Sequence, residues 1–451
     1  MESKNSSIKY SLSNIPKVSL YIFYALLGYM PLHIFISTWL GTSFGVLEFA
    51  KVFKDVVLVL GFGLALSASI GQPWFKPLLK DRLLWLIGGY ALLTLLLAGV
   101  MRTDLDAEIL GIVYNLRFLL FFLYGWLLAG LFDARLITRR AVQVVLIVGV
   151  VVAAFGVLQH TVLPSDSLTH AGYSRANGVL PVFFIDNKPD LERVMSTVRD
   201  PNSLGSYLII ILSITLAYLA TTKNKQLKQT GIGLAALSVL CLYFTFSRSA
   251  WLGAVFAVGA LVVLLPAKAK SVPINQKYII AAVVAAVIGL ASLYIARDSY
   301  LVQNIIFHSD EQTVLEDPNE LRLRFWQTSI AAALLQPHGF GPGTAGLASI
   351  RNDIQGTVLN ENYYLQILYE IGVLGLLLFL AILGYTAVRL YQIKKPSPLI
   401  LGLIASFAGL AVTNFLVHIW SNEAVAYTWW GLAGLVIVIH RRRDTRRPRV
   451  R

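Results

Sequence analysis

Apolar stretches of about twenty residues recur from one end of the chain to the other, separated by short polar segments. Each is long enough to cross roughly 30 Å of hydrocarbon, and each is apolar around its whole circumference rather than along one face. This pattern predicts an all-α polytopic membrane protein of about twelve transmembrane helices. Spans fall near 18–40, 54–71, 83–101, 109–131, 141–163, 203–221, 230–247, 249–266, 278–296, 364–388, 398–418 and 424–440. The first follows a polar start with Lys4, Lys9 and Lys17, holds Pro31 and His33, and ends without a small-residue cleavage site, so it reads as a retained span. Only Ser247, Arg248 and Ser249 separate the seventh from the eighth, which predicts a tight hairpin. The whole chain, 1–451, reads as a single integral-membrane domain.

The basic residues orient these spans. With the N-terminus in the cytoplasm, 25 of the 38 Lys and Arg residues fall in cytoplasmic segments, including the Arg-rich tail 441–451. Short inside loops rich in Lys and Arg are the usual topological signal, so both termini are expected to be cytoplasmic. Two extracytoplasmic segments are then long: a first loop, 164–202, and a large, partly helical one, 297–363. The second carries Asp310, Glu311, Glu316, Asp317, Glu320 and Asp353, and its stretch Leu321–Leu335 predicts an amphipathic helix. Loops of this length are commonly functional.

Composition agrees: 56% hydrophobic, 14% charged, mean hydropathy +0.67. The net charge of +14 would otherwise suggest nucleic acid, but its distribution is what topology demands, and the basic tail suits anionic headgroups. No nucleic-acid partner is expected. One cysteine, Cys241, excludes an intrachain disulfide and a cysteine-built metal site. With no internal repeat visible, an inverted-repeat transporter finds no support.

Four runs could carry chemistry. The first is Arg193-x-x-Ser196-Thr197-x-Arg199-Asp200-Pro201-Asn202-Ser203-Leu204-Gly205. Asp200 suits a helix N-cap and Pro201 a first helical residue, so the sixth span should start at the outer face with two arginines just upstream. Free N–H groups and a positive dipole end make such a start an anion site, although Asp-Pro-Asn is also ordinary capping. The second run is Phe244-Thr245-Phe246-Ser247-Arg248-Ser249-Ala250-Trp251, which puts Arg248 at the hairpin tip. There it faces a polar cavity or partner, or else snorkels to headgroups beside an interfacial Trp251.

The third run is Arg322-Leu-Arg324-Phe-Trp326 with Pro337-His338-Gly339-Phe340-Gly341-Pro342-Gly343-Thr344-Ala345-Gly346. Residues 341–346 formally fit G-x-G-x-x-G, but no strand precedes them, so the dinucleotide reading fails. The glycines either let backbone approach a ligand or make tight turns. His338 is a candidate catalytic residue. The fourth run, Asn360 to Gly375, opens the tenth span. Its Glu361 lies at the water boundary, where it could act as a general base or simply complement the helix dipole. Glu370, deeper, reads as a structural carboxylate. Arg117 lies midway along the fourth span and is expected to pair with another span.

These residues resemble the O-antigen ligase/polymerase family of bacterial surface-polysaccharide enzymes. The likeness rests on R-x-x-S-T…D-P-N-x-x-G from Arg193, T-F-S-R-S-A-W from Thr245, R-x-x-x-W from Arg322, P-x-G-x-G-x-G, and Y-L-Q-I-L-x-E-x-G-x-x-G-L from Tyr364. It covers roughly residues 190–390 closely and the rest by span pattern. The resemblance implies a glycosyltransferase of the bacterial inner membrane, with its site on the periplasmic or exterior side. The donor would be a glycan on undecaprenyl diphosphate, and a hydroxyl of glycan, lipid or protein the acceptor. No cofactor is expected and no metal. Arg193 and Arg248, with Arg199 and Arg322, would bind the diphosphate. The ligases carry His-Asn where this chain has Glu361-Asn362, which favours a polymerase-like member over a ligase acting on lipid A-core or a protein O-oligosaccharyltransferase. A lipid or solute transporter is the alternative from another class.

Overall fold

The computed structural model describes residues 2–101, 103–185, 188–268 and 318–445. They are mostly helical. In chain order the helices are α1 (Glu2–Tyr29), α2 (His33–Ser43), α3 (Leu47–Ser69), α4 (Phe75–Leu79), α5 (Arg82–Val100), α6 (Leu105–Leu131) and α7 (Ala134–Thr161). Then come α8 (Pro201–Thr221), α9 (Lys225–Phe244), α10 (Arg248–Lys268), α11 (Pro318–Leu335), α12 (Tyr363–Tyr391), α13 (Pro398–Thr413) and α14 (Glu423–Thr445).

Among the described residues, eight helical segments are long and apolar enough to cross a membrane: Asn14–Ser43, Arg82–Val100, Leu105–Leu131, Ala134–Thr161, Pro201–Thr221, Lys225–Phe244, Arg248–Ala267 and Tyr363–Tyr391. Three further expected spans are helices that do not join this set. One is α3, which carries Glu48, Lys51, Lys54 and Asp55. Another is α13, whose 16 residues reach only about 24 Å at 1.5 Å per residue. The third is α14 (Glu423–Thr445). The expected span 278–296, the acidic stretch 297–317 and the end of the basic tail lie outside the described residues.

The chain forms two compact units. One comprises Met1–Val148, Phe325–Ile393 and Asn414–Arg451; the other comprises Gly149–Arg324 and Lys394–Thr413. In the first, α6 packs on α14 through glycines: Gly125 lies against the Gly431 carbonyl and Gly434 against that of Phe122. Around this contact sits a core of Phe118, Phe121, Tyr124, Trp420, Trp429 and Trp430. In the second, α8 is buried along most of its length. Gly205 meets Ala250 of α10, and Gly402 of α13 lies on the backbone of Ile214. Small residues at such contacts let backbones approach and gain dispersion where lipid supplies no hydrophobic drive.

The all-α expectation agrees with this mostly helical architecture, to which the structure adds one short strand pair. The first loop contains an antiparallel pair, β1 (Phe183–Ile185) and β2 (Lys188–Arg193), with Phe183 opposite Arg193 and Phe184 opposite Glu192. Three residues of aromatic and β-branched character are too short a run to stand out beside twenty-residue helices, yet this pairing fixes the backbone that delivers Arg193.

Candidate functional site

The end of α9 leaves carbonyls that its own helix cannot satisfy. Trp251 Nε1 donates to the Leu242 carbonyl at 3.0 Å, and the Trp251 ring stacks on Tyr243 with planes 4° apart. Trp251 is therefore a cap as well as an aromatic. The Val194 amide donates to the Phe244 carbonyl at 3.0 Å, so β2 runs directly onto this helix end. Arg193 completes it, with Nε donating to the Thr245 carbonyl at 3.1 Å. A cation on terminal carbonyls also complements the helix dipole.

The same guanidinium reaches the start of the next pair of helices. Arg193 Nη2 donates to Asn202 Oδ1 at 3.0 Å, and Ser247 Oγ donates to that same oxygen at 2.8 Å. Asn202 is the second residue of α8, and Ser247 immediately precedes α10. Asp200 caps α8 as the sequence predicts: Oδ1 accepts from the Ser203 amide at 2.9 Å and Oδ2 from Ser203 Oγ at 2.6 Å. The hairpin turn is 245–247, so Arg248 and Ser249 stand within the first turn of α10 instead of in the connection. Two helix starts are thus tied to one arginine.

Two non-glycine residues in this cluster have left-handed backbone, Ser196 (φ 54) and Phe246 (φ 45), which costs about 1–3 kcal/mol each. Ser196 is held there by its amide on Gln159 Oε1 (2.8 Å) and its hydroxyl on the Val152 carbonyl (2.7 Å). Arg199 lies apart from Arg193 in its bonding: its Nη2 donates to Gly178 in the first loop at 3.4 Å. Arg322 stands in the first half of α11, half-buried.

In the other unit Glu361 is the third left-handed non-glycine residue, with φ 43. It is half-buried and directly precedes Asn362, whose Oδ1 caps α12 by accepting from the Tyr364 and Leu365 amides at 3.0 and 3.1 Å. The Tyr363 amide donates to the Asn414 carbonyl at 2.9 Å. The chain is thus pinned just beyond Glu361 on two sides.

The glycine-rich turn does something the sequence left open. α12 is broken at Gly372 (φ 74, ψ −172), and the turn fills the break. The Phe340 and Gly341 amides donate to the Tyr369 and Glu370 carbonyls, and the Val373 amide to the Pro337 carbonyl, all at 2.9 Å. Glu370, fully buried, accepts from Asn115 Nδ2 at 2.8 Å and from the Gly343 and Ala345 amides at 3.0 and 3.3 Å. A Cβ on Gly343 would collide with the Ala107 backbone of α6. The close approach that Gly339 and Gly343 permit is therefore to protein backbone. His338, exposed, packs its main chain on Gly372, roughly 15 Å along the α12 axis from Glu361. The structure does not bring His338 to Glu361.

Arg117 pairs with another helix, as expected: Nη1 lies 2.9 Å from Glu423 of α14 and Nη2 donates to the Ser421 carbonyl at 2.6 Å. On sequence alone, Arg117 is a deep cation that the transport alternative could use. The structure adds Lys54, 3.8 Å from Glu423 and 3.0 Å from Asp55, so these deep charges balance one another within one unit. Among the described residues no group of three or more His, Cys, Asp or Glu could hold a metal.

Residues 233–380 match the family model described as O-Antigen ligase. Over this stretch, about a third of the sequence, the chain carries the domain of the O-antigen ligase/polymerase family, and the match indicates glycosyl transfer of that type at a bacterial inner membrane. It takes in the Thr245–Trp251 hairpin, Arg322, the glycine turn and the start of α12; Arg193 precedes it. No curated protein matches the chain.

Proposed function

We propose that this O-antigen ligase-family chain transfers or polymerises glycan from an undecaprenyl-diphosphate-linked donor on the extracytoplasmic face of the inner membrane, in the polymerase-like mode. The observation that carries the reading is the tie between Arg193 and the starts of α8 and α10 through Asn202 and Ser247. A rigid guanidinium beside two helix N-termini is suited to a diphosphate. Arg248, in the first turn of α10, adds the second positive charge, and Arg199 and Arg322 add to the field that a doubly charged lipid headgroup meets on approach.

In this reading a hydroxyl oxygen of the acceptor attacks the anomeric carbon. The bond from that carbon to the diphosphate oxygen breaks, its electron pair leaves on the diphosphate, and Glu361 takes the hydroxyl proton. The strained backbone at Glu361, held by the Asn362 cap and the Tyr363–Asn414 bond, supports a fixed functional group. His338 is assigned no proton transfer, since it stands at the Gly372 break and away from Glu361 along α12.

Glu361 at the place where ligases carry His favours polymerisation. Transfer to lipid A-core or to a protein hydroxyl is the second reading. Purified protein incubated with lipid-linked oligosaccharide, with and without acceptor lipid, separates them. Longer glycan on the same lipid is expected; glycan on lipid A-core or protein would establish the second reading. Turnover that survives Arg193→Ala, Arg248→Ala and Glu361→Ala alike would refute the site.

A further inference from the structure

Asn202 accepts two hydrogen bonds on one atom. Arginine has no acceptor, so the atom 3.0 Å from Arg193 Nη2 must be the amide oxygen. Ser247 Oγ donates to the same oxygen at 2.8 Å. These two donors settle which way the amide faces, a choice otherwise open for asparagine, and they set its NH2 group on the side away from Arg193 and Ser247. The chain of donors extends further: Ser247 Oγ lies 3.2 Å from Ser249 Oγ and accepts from the Ala250 amide at 3.3 Å. With its proton given to Asn202, Ser247 takes that of Ser249. Donors aligned in series polarise one another, which strengthens the amide N–H groups at the end of the series. The neighbouring carboxylate, Asp200, is engaged by the Ser203 amide and hydroxyl. Asn202 itself is half-buried at the second position of α8, where backbone N–H groups are also free of helical partners.

We infer that Asn202 is a direct ligand of the donor's diphosphate, its Nδ2 donating to a phosphate oxygen while its Oδ1 orients Arg193 and Ser247. The inference rests on the diphosphate reading of this cluster. It gives the run Asp200-Pro201-Asn202 a divided role, in which Asp200 builds the helix start and Asn202 reads the anion. A neutral amide adds a hydrogen bond without adding charge, so the released lipid diphosphate is bound less tightly than by a third cation.

Asn202→Asp separates orientation from ligation. Aspartate keeps an oxygen for Arg193 and Ser247 but turns an anionic oxygen, instead of N–H, toward the ligand. Full-length protein in nanodiscs would be titrated with undecaprenyl diphosphate, reading both affinity and the rise in melting temperature on binding. The ligand-induced rise compares variants of different intrinsic stability. Asn202→Asp is expected to bind about tenfold to a hundredfold more weakly with an unchanged ligand-free melting point. Asn202→Ser, which keeps an uncharged O–H, should fall between parent and Asn202→Asp. If Asn202→Asp binds within about twofold of parent while Arg193→Ala loses binding, or if Asn202→Ser binds more weakly than Asn202→Asp, Asn202 only orients Arg193 and the inference falls while the diphosphate reading stands. If Arg193→Ala and Asn202→Asp both bind like the parent, the diphosphate reading itself falls.

Discussion

The Glu370 carboxylate offers a sharp test of how the glycine turn is held. Its oxygens are met by donors: Asn115 Nδ2, the Gly343 amide and the Ala345 amide, with a further bond from the Gln366 side chain. In Glu370→Gln, Oε1 can still accept from the two backbone amides, but the new NH2 faces the NH2 of Asn115. Gln366 can turn its own amide to suit the change; Asn115 is more constrained. If Asn115 flips to offer its oxygen, the mismatch moves to Tyr90, whose buried hydroxyl donates to Asn115 Oδ1 at 3.3 Å and would lose that acceptor. Either way one buried donor is stranded, at about 1–3 kcal/mol. Adding Asn115→Asp restores complementarity, because the introduced carboxylate accepts both from Tyr90 and from the new amide at position 370. The double variant should recover most of the loss, a coupling of about 1–3 kcal/mol. Thermal unfolding of the four proteins in one detergent, with hydrogen exchange at residues 337–346, measures it. The turn should exchange faster in Glu370→Gln and slow again in the double variant. A single variant as stable as parent, or a double variant no better than the worse single one, would refute the account.

Other expectations follow from the same geometry. Arg117→Ala leaves Glu423 with Lys54 at 3.8 Å as its remaining cation among the described residues and should cost about 3 kcal/mol; Arg117→Ala with Glu423→Ala should unfold at a higher temperature than Arg117→Ala alone. Gly343→Ala meets both a left-handed φ of 86 and the Ala107 backbone, so folded yield on size exclusion should collapse, whereas Gly233→Ala, where nothing lies within 4 Å, should leave it unchanged. Glu361→Gln keeps the shape but removes the base, and turnover of lipid-linked donor should fall about 10²–10⁴-fold while undecaprenyl diphosphate binding stays near parent.

Helices were legible because bilayer thickness imposes a length that a single sequence displays openly. So was the Asp200 start, since capping is a local affair of one side chain and two or three amides. The joint of Arg193, Asn202 and Ser247 was not: Asn202 and Ser247 are 45 residues apart, and nothing local marks them as sharing an acceptor. His338 looked catalytic by residue type alone, and only the break at Gly372 shows what its backbone does. Left-handed φ at Ser196, Phe246 and Glu361 was equally hidden, because no residue there is glycine or asparagine, the types that advertise such a conformation. What a sequence conceals here is mostly pairing at a distance.

The Arg117–Glu423 pair has a consequence for how the chain is made. A ribosome delivers Arg117 to the membrane long before its partners exist, since the Ser421 carbonyl that it binds lies 304 residues further on. During that interval the guanidinium must wait near water or neighbouring lipid headgroups, and α6 can reach its final depth only when α14 arrives with Glu423. Lys54 of α3, already beside Asp55 at 3.0 Å, meets the same carboxylate at 3.8 Å. Insertion order therefore makes α14 the closing step of this contact, and a nascent chain stopped before residue 423 would present Arg117 without its carboxylate to whatever machinery inspects unfinished membrane proteins.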